Sequence, residues 1–189
     1  RLFVEPGVTV ATSFGAYPTF NFHVVGFGGH LVTVPYRDDR EDPQALLDLA
    51  VREKARLIYL ANPDNPMASW SDAAAIEDMI ARLPDRCLLV LDEAYADFAP
   101  AGSVPPLDVS NAKVLRFRTF SKAHGLAGAR VGYALGEAGL VGAFDKVRNH
   151  FGVNRMAQVA ALASLGDGGH MAGVIAKVAS TIDHWSGGR

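Results

Sequence analysis

Cys87 is the single cysteine of the 189-residue chain, so neither a disulfide framework nor a cysteine-built zinc site is open to it, and a cytoplasmic setting is expected. Runs of Lys or Arg are missing too. Eighteen basic residues face 20 acidic ones for a formal charge of −2, which leaves no electrostatic footprint for nucleic acid or an anionic membrane surface. Residues 6–36 contain no charged side chain at all. Their number suits a membrane span, but Pro18, Asn21, His23, His30 and the glycines at 15, 26, 28 and 29 break every apolar run, so buried strand and helix are expected instead. The six histidines show no ligand spacing, and no metal is expected. Gly26-Phe27-Gly28-Gly29 is not followed by the third glycine of a dinucleotide fingerprint, and no Gly-x-Ser-x-Gly elbow occurs, which sets aside dehydrogenases and serine hydrolases. The chain opens on Arg1 without a leader pattern and closes on polar Ser186, Gly187, Gly188 and Arg189, as a piece of a longer protein would.

What is present is ordinary core-forming material: 49% of the residues are hydrophobic and 20% charged, enough for one domain over residues 1–189. Residues 8–12 and 31–35 are short and β-branched. Residues 57–60 (LIYL) and 88–91 (LLVL) are continuously apolar, as strands buried on both faces are. Asp42-Pro43 reads as the cap and first turn of a helix presenting Leu46, Leu49 and Ala50. A second helix is expected to open at Ser71, align Ile76, Met79, Ile80 and Leu83, and stop at Pro84. Further strands are expected over 114–119 and 130–134, a helix stripe through Leu140, Val141, Phe144, Val147 and Phe151, and a last helical region from about Val153. The charged cluster 38–42 reads as a solvated loop. The alternation predicts an α/β fold, a mostly parallel sheet with helices on both faces. Ligands of such sheets sit beyond the carboxyl ends of the strands.

Three polar segments follow apolar runs there. Asp92 ends LLVL and precedes Glu93. An acid held at a strand tip fits a nucleotide hydrolase, where LLVLDE would order a metal ion, or a counter-charge that keeps a ring nitrogen protonated; a helix cap or surface salt bridge is the plain alternative. The hydrolase needs a Gly-Lys-Ser/Thr phosphate loop, and none occurs in these residues. Lys122 stands among Thr119, Ser121 and Arg130, two hydroxyls and a planar cation suited to a phosphate dianion. Desolvated there, a lysine can form a Schiff base; a surface lysine is the alternative. Residues 62–66 (NPDNP) contain two Asn-Pro steps, which form a rigid turn able to aim an Asn amide at a ligand.

These motifs resemble those of the fold-type I pyridoxal-phosphate aminotransferases, most closely the histidinol-phosphate aminotransferase-like branch. NPDNP is similar to that branch's Asn-Pro-x-Asn-Pro-Thr-Gly, DEAYADF to its Asp-Glu-Ala-Tyr-x-x-Phe, and RTFSKAHGLAGARVGY to its Arg-Thr-x-Ser-Lys-x-x-Gly-Leu-Ala-Gly-x-Arg-x-Gly-Tyr. The resemblance covers nearly the whole chain and implies the central, cofactor-binding part of the family's large domain. It implies Lys122 as the Schiff-base lysine and Asp92 as partner of the pyridine nitrogen. Tyr95 and Asn65 would hydrogen-bond the phenolic oxygen of pyridoxal phosphate, Thr119, Ser121 and Arg130 would bind its phosphate, and Phe14 would stack on its ring, with core packing the alternative for Phe14.

Two departures accompany the likeness. Met67-Ala68 replaces the branch's Thr-Gly, and the family's N-terminal phosphate-contacting segment and C-terminal small domain have no counterpart in these residues. The activity implied is transfer of an amino group from histidinol phosphate or an aromatic amino acid to a 2-oxo acid such as 2-oxoglutarate, by a homodimer when full length. A decarboxylase or lyase on the same scaffold, and a non-catalytic fragment, are the other readings.

Overall fold

In the computed structural model, which describes residues 1–186, the alternating pattern becomes strands β1 (Thr9–Ser13), β2 (His30–Val34), β3 (Leu57–Ala61), β4 (Leu88–Asp92), β5 (Val114–Thr119) and β6 (Gly132–Gly136). They form one sheet in the order β2-β1-β3-β4-β5-β6, and the β1/β2, β1/β3, β3/β4 and β4/β5 ladders are all parallel. Helices α1 (Pro18–Gly26), α2 (Pro43–Arg52), α3 (Ala73–Ala81), α4 (Ala138–Gly142), α5 (Arg155–Gly166) and α6 (Gly168–Ser186) complete it. The chain divides into two compact units. The first is Arg1–Arg118 with Ala134–Arg148; the second is Thr119–Tyr133 with the residues from Asn149 onward.

The core of the first unit follows from strand alternation. Ile58, Leu60, Leu89 and Leu91 pack with Leu46, Leu49, Ile76 and Met79 of α2 and α3, while Leu57, Tyr59, Leu88 and Val90 pack with Val24 of α1 and with Leu140, Val141 and Phe144. Both faces of the sheet are therefore covered, and β3 is buried from end to end, as its uniformly apolar run predicts. Cys87, at the entrance to β4, is 2% exposed, and burial pushes its thiol up to about 11.

Several local expectations shift for visible reasons. Asp42 caps α2 as its pairing with Pro43 predicts, accepting from the Gln44 and Ala45 amides. α3 begins at Ala73 rather than Ser71, because the Ser71 N–H is held by the Asn62 side chain, and it ends at Ala81, before Pro84. β6 starts two residues late, since Arg130 takes a left-handed turn (φ 54°) at the end of a 3-10 turn. The stripe through Phe151 does not form one helix. α4 is followed by a 3-10 turn over Ala143–Lys146, and Phe151 lies outside at 98% exposure. The last helical region breaks at Asp167, whose carboxylate accepts from the His170 amide as α6 begins. Within residues 6–36, β1 is buried as expected, but α1 keeps Phe22 and Val25 exposed. Glu41, expected in a solvated loop, is buried. Gly187, Gly188 and Arg189 of the polar end lie outside the described residues. Among the described residues no single helix is long and apolar enough to cross a membrane.

Candidate functional site

In the first unit the candidate residues gather where β3 and β4 end. Asp92 Oδ2 accepts from the Tyr59 hydroxyl at 2.7 Å, and Oδ1 accepts from the Ala94 amide at 3.0 Å. Burial and the Asp92 charge raise the Tyr59 phenol far above its ordinary range, so Tyr59 keeps its proton and acts as a donor. Its ring is fixed by stacking on Phe20, 4.3 Å between centroids. A carboxylate offers about four acceptor positions. With two of them engaged, Asp92 retains acceptor capacity for a protonated ring nitrogen.

The 62–66 turn is braced rather than merely tight. Asn62 is buried; its Oδ1 accepts from Ser71 N at 2.8 Å, and its Nδ2 donates to the carbonyls of Ser71 and Ser103 at 3.2 and 2.8 Å. Asn62 is thus a structural strut, and Asn65 is the amide that the turn presents. Asn65 Nδ2 lies 3.5 Å from the Tyr95 hydroxyl, which brings together two residues that the resemblance pairs as partners of one oxygen. Both Asn-Pro bonds are cis. Beyond them Ala68 sits at φ 54°, the left-handed region that costs an L-residue about 1–2 kcal/mol, which explains why glycine suits this position in the resembling motif. Phe14 is 75% exposed, so it does not pack into the core of the described residues.

In the second unit, Thr119–Tyr133 closes a tight loop around Lys122. Phe120 is buried against His124 and Tyr133, with ring centroids 4.6 and 5.5 Å away, and Phe120 N donates to Val131 O at 3.2 Å. Ala123 is fully buried, and His124 Nδ1 pairs with Ser164 Oγ at 2.8 Å, so both residues after Lys122 are anchored while Lys122 itself is exposed. Gly125, at φ 70°, turns the chain back so that its N–H bonds the Lys122 carbonyl at 2.9 Å. Ser121 N donates to Thr119 Oγ1 at 3.0 Å. The Arg130 guanidinium lies 3.4 Å from Ser121 Oγ and donates to Ala127 O at 2.7 Å. Two hydroxyls and a guanidinium therefore converge in the loop that carries Lys122, a donor set matched to a phosphate dianion.

Glu93 belongs to the scaffold. It is 2% exposed; Oε1 accepts from Arg116 Nε and Nη2 at 3.0 and 2.6 Å, and Oε2 accepts from Arg118 Nε at 3.0 Å. A nucleotide hydrolase built on LLVLDE would need that carboxylate for metal or water, and two arginines already occupy it. The roles of Tyr59 and Glu93 escape a reading of the sequence, although a polar tip inside LIYL at the same strand parity as Asp92 is a signal for the first. A cavity of about 440 Å3 opens on the α1 side, walled by Phe20, Tyr59, Val90, Phe117 and Phe144 and touched by Asp92. Asn65, Tyr95 and Phe14 do not line it. Among the described residues no three His, Cys, Asp or Glu side chains gather as a metal site requires.

The family model of class I and II aminotransferases matches residues 1–183. A histidinol-phosphate aminotransferase of Mesorhizobium japonicum is 38% identical over 182 residues, 93% of this chain and 49% of that protein. An aromatic amino acid aminotransferase of Mycobacterium avium is 41% identical over 147 residues, 76% of this chain and 41% of that protein. The crystal structure of histidinol-phosphate aminotransferase from Sinorhizobium meliloti in complex with pyridoxal-5'-phosphate superposes with a TM-score of 0.93 at 54% identity, covering 95% of this chain and 50% of that one. The chain thus spans about half the length of the curated relatives it matches.

Proposed function

Because the chain belongs to the class I and II aminotransferase family, we propose that it is the central, cofactor-binding part of the large domain of a pyridoxal-phosphate-dependent transaminase. Its amino donor in this reading is histidinol phosphate, with 2-oxoglutarate or a similar 2-oxo acid as acceptor. The protein that carries it would be a cytoplasmic homodimer. The observation that carries the reading is the 119–130 loop, in which the exposed residue Lys122 directly follows Ser121, and Ser121 contacts both Thr119 and Arg130. The similarity to an aromatic amino acid aminotransferase supports aromatic amino acids as the alternative donor class.

When bound, pyridoxal phosphate supplies an aldehyde that captures amines and a ring that accepts the electrons left on carbon by proton removal. The rest falls to the chain. Lys122 Nζ is the amine that would hold the cofactor and, once released by a substrate amine, carry the proton to and from carbon. Asp92, oriented at the strand tip by Tyr59 and Ala94 N, would hold the ring nitrogen in its protonated form. Asn65 and Tyr95 would donate to the phenolic oxygen, Thr119, Ser121 and Arg130 would take the phosphate, and Phe14 would cover the ring.

The test is chemical. The chain is incubated with pyridoxal phosphate, reduced with borohydride, digested and mapped by mass. Modification confined to Lys122, together with amino transfer from histidinol phosphate to 2-oxoglutarate, is the expected result. A folded protein that leaves Lys122 unmodified overturns the assignment, and carbon dioxide or an elimination product in place of the oxo product moves it to a decarboxylase or lyase.

A further inference from the structure

Segment 36–42 contributes nothing to the roles assigned above, yet it holds both ends of what presents Asn65. β1 and β3 pair only through Val10↔Leu57 and Ala11↔Ile58, so β3 runs on past its neighbour toward the carboxyl edge. Asn62 N bonds Asp92 O on the β4 side at 2.9 Å. By strand alternation, Ala61 N–H then points to the opposite side, where β1 supplies no partner. Glu41 Oε2 supplies one at 3.1 Å. The carboxyl group is buried, so this bond is shielded from water.

Tyr36 makes the second hold. Its hydroxyl donates to Asp64 Oδ2 at 2.9 Å, one residue before Asn65. Asp64 is itself buried, Oδ1 has no hydrogen-bond partner among the described residues, and Met67 N reaches Oδ2 only at 3.4 Å. The Tyr36 hydroxyl is therefore the short contact on that carboxylate. The Tyr36 ring also faces Gly15, where an added Cβ would meet Cε2 at 3.8 Å, beside Phe14. The segment is tied to the far end of the same turn by Arg40, which donates to Trp70 O at 3.3 Å and lies 5.7 Å from the Trp70 ring centroid.

We propose that Tyr36 and Glu41 are positioning residues that clamp the 61–67 turn and so fix the Asn65 amide beside Tyr95. This rests on the reading of Asn65 as donor to the cofactor's phenolic oxygen. Neither residue touches the cofactor in this account; both act through the backbone on either side of Asn65. The groups that face Glu41 include Asp64, Asp92, Ser13, the Ala61 amide and the Tyr36 and Tyr59 phenols. Because the clamp works through an acceptor atom rather than a charge, glutamine at position 41 preserves it and alanine does not.

The experiment is a pH titration of the visible absorbance of the full chain with bound pyridoxal phosphate, made for the unmodified protein and for Y36F, E41A, E41Q and N65A, each checked for folding by circular dichroism. Loss of one hydrogen bond to the charged phenolic oxygen raises the midpoint by about one pH unit. N65A, Y36F and E41A are expected to shift upward, E41Q to stay with the unmodified protein, and Y36F to add nothing in an N65A background. Unmoved midpoints in Y36F and E41A, or shifts that add to that of N65A, overturn the clamp while leaving the functional reading intact. An unmodified protein without cofactor-dependent absorbance overturns that reading, and the clamp with it.

Discussion

Replacing Glu93 by Gln is expected to be among the most damaging single changes in the first unit. Three N–H groups of two arginines converge on this carboxylate. The side chains of Arg116 and Glu93 are 5% and 1% exposed, so neither charge is screened by water. A glutamine keeps one acceptor oxygen but turns an NH2 group toward guanidinium donors. Arg116 still reaches the carbonyls of Pro105 and Pro106, but its charge is left buried without a counter-ion. Breaking such a pair costs about 3–5 kcal/mol. The Arg118 contact adds less, since that side chain is 26% exposed. Urea titration should show the loss at an unchanged m-value, and thermal unfolding should fall by roughly 6–20 °C for a chain of this size. A loss below about 1 kcal/mol would refute the network as a stabilising element. The double change E93M/R116M should cost less than the two single changes summed, because it leaves no fully buried charge without a partner; Arg118, which also loses Glu93, is 26% exposed and reaches water.

Ala68→Gly relieves the left-handed residue after the Asn65 turn; the gain of about 1–2 kcal/mol, less about 0.5–1 for the freedom of glycine in the unfolded chain, predicts a net stabilisation near 1 kcal/mol by urea titration. Burial and the neighbouring Asp64 raise the Glu41 carboxyl to about 8 from its usual 4.5, so between those values the folded state keeps a proton that the unfolded state has released, and stability should fall as pH rises. E41Q should flatten that decline by up to about 1.4 kcal/mol per pH unit, read from urea midpoints at pH 5 to 8; an identical slope in both proteins refutes the burial argument. Arg130→Ala should weaken binding of pyridoxal phosphate more than binding of pyridoxal in equilibrium dialysis, and an equal loss for both would remove Arg130 from the phosphate set.

The layered architecture was legible because its signals are local. LIYL and LLVL have no polar position to spare, and Asp42-Pro43 fixes a helix start by cap chemistry alone. The grouping of Thr119, Ser121 and Arg130 could also be read, since all three lie within a dozen residues of one another. Glu93, Tyr59 and Glu41 could not. Each owes its environment to residues 20 or more positions away in the chain: Arg116 for the first, Asp92 for the second and Ala61 for the third. The helix stripe through Phe151 failed for a related reason. Its apolar spacing is real, but α4 gives way to a 3-10 turn over Ala143–Lys146 before Val147 and Phe151 are reached, and spacing carries no record of that change.

The lone thiol offers a clock for motions at the middle of the sheet. Cys87 is shielded at the entrance to β4 and holds its proton well into alkaline solution, so a disulfide reagent that needs the thiolate can react only when the neighbouring strands part. No second sulfhydryl competes for the reagent. The labelling rate therefore reports the opening of the sheet at the entrance to β4, and ligands that tighten the sheet there should slow it.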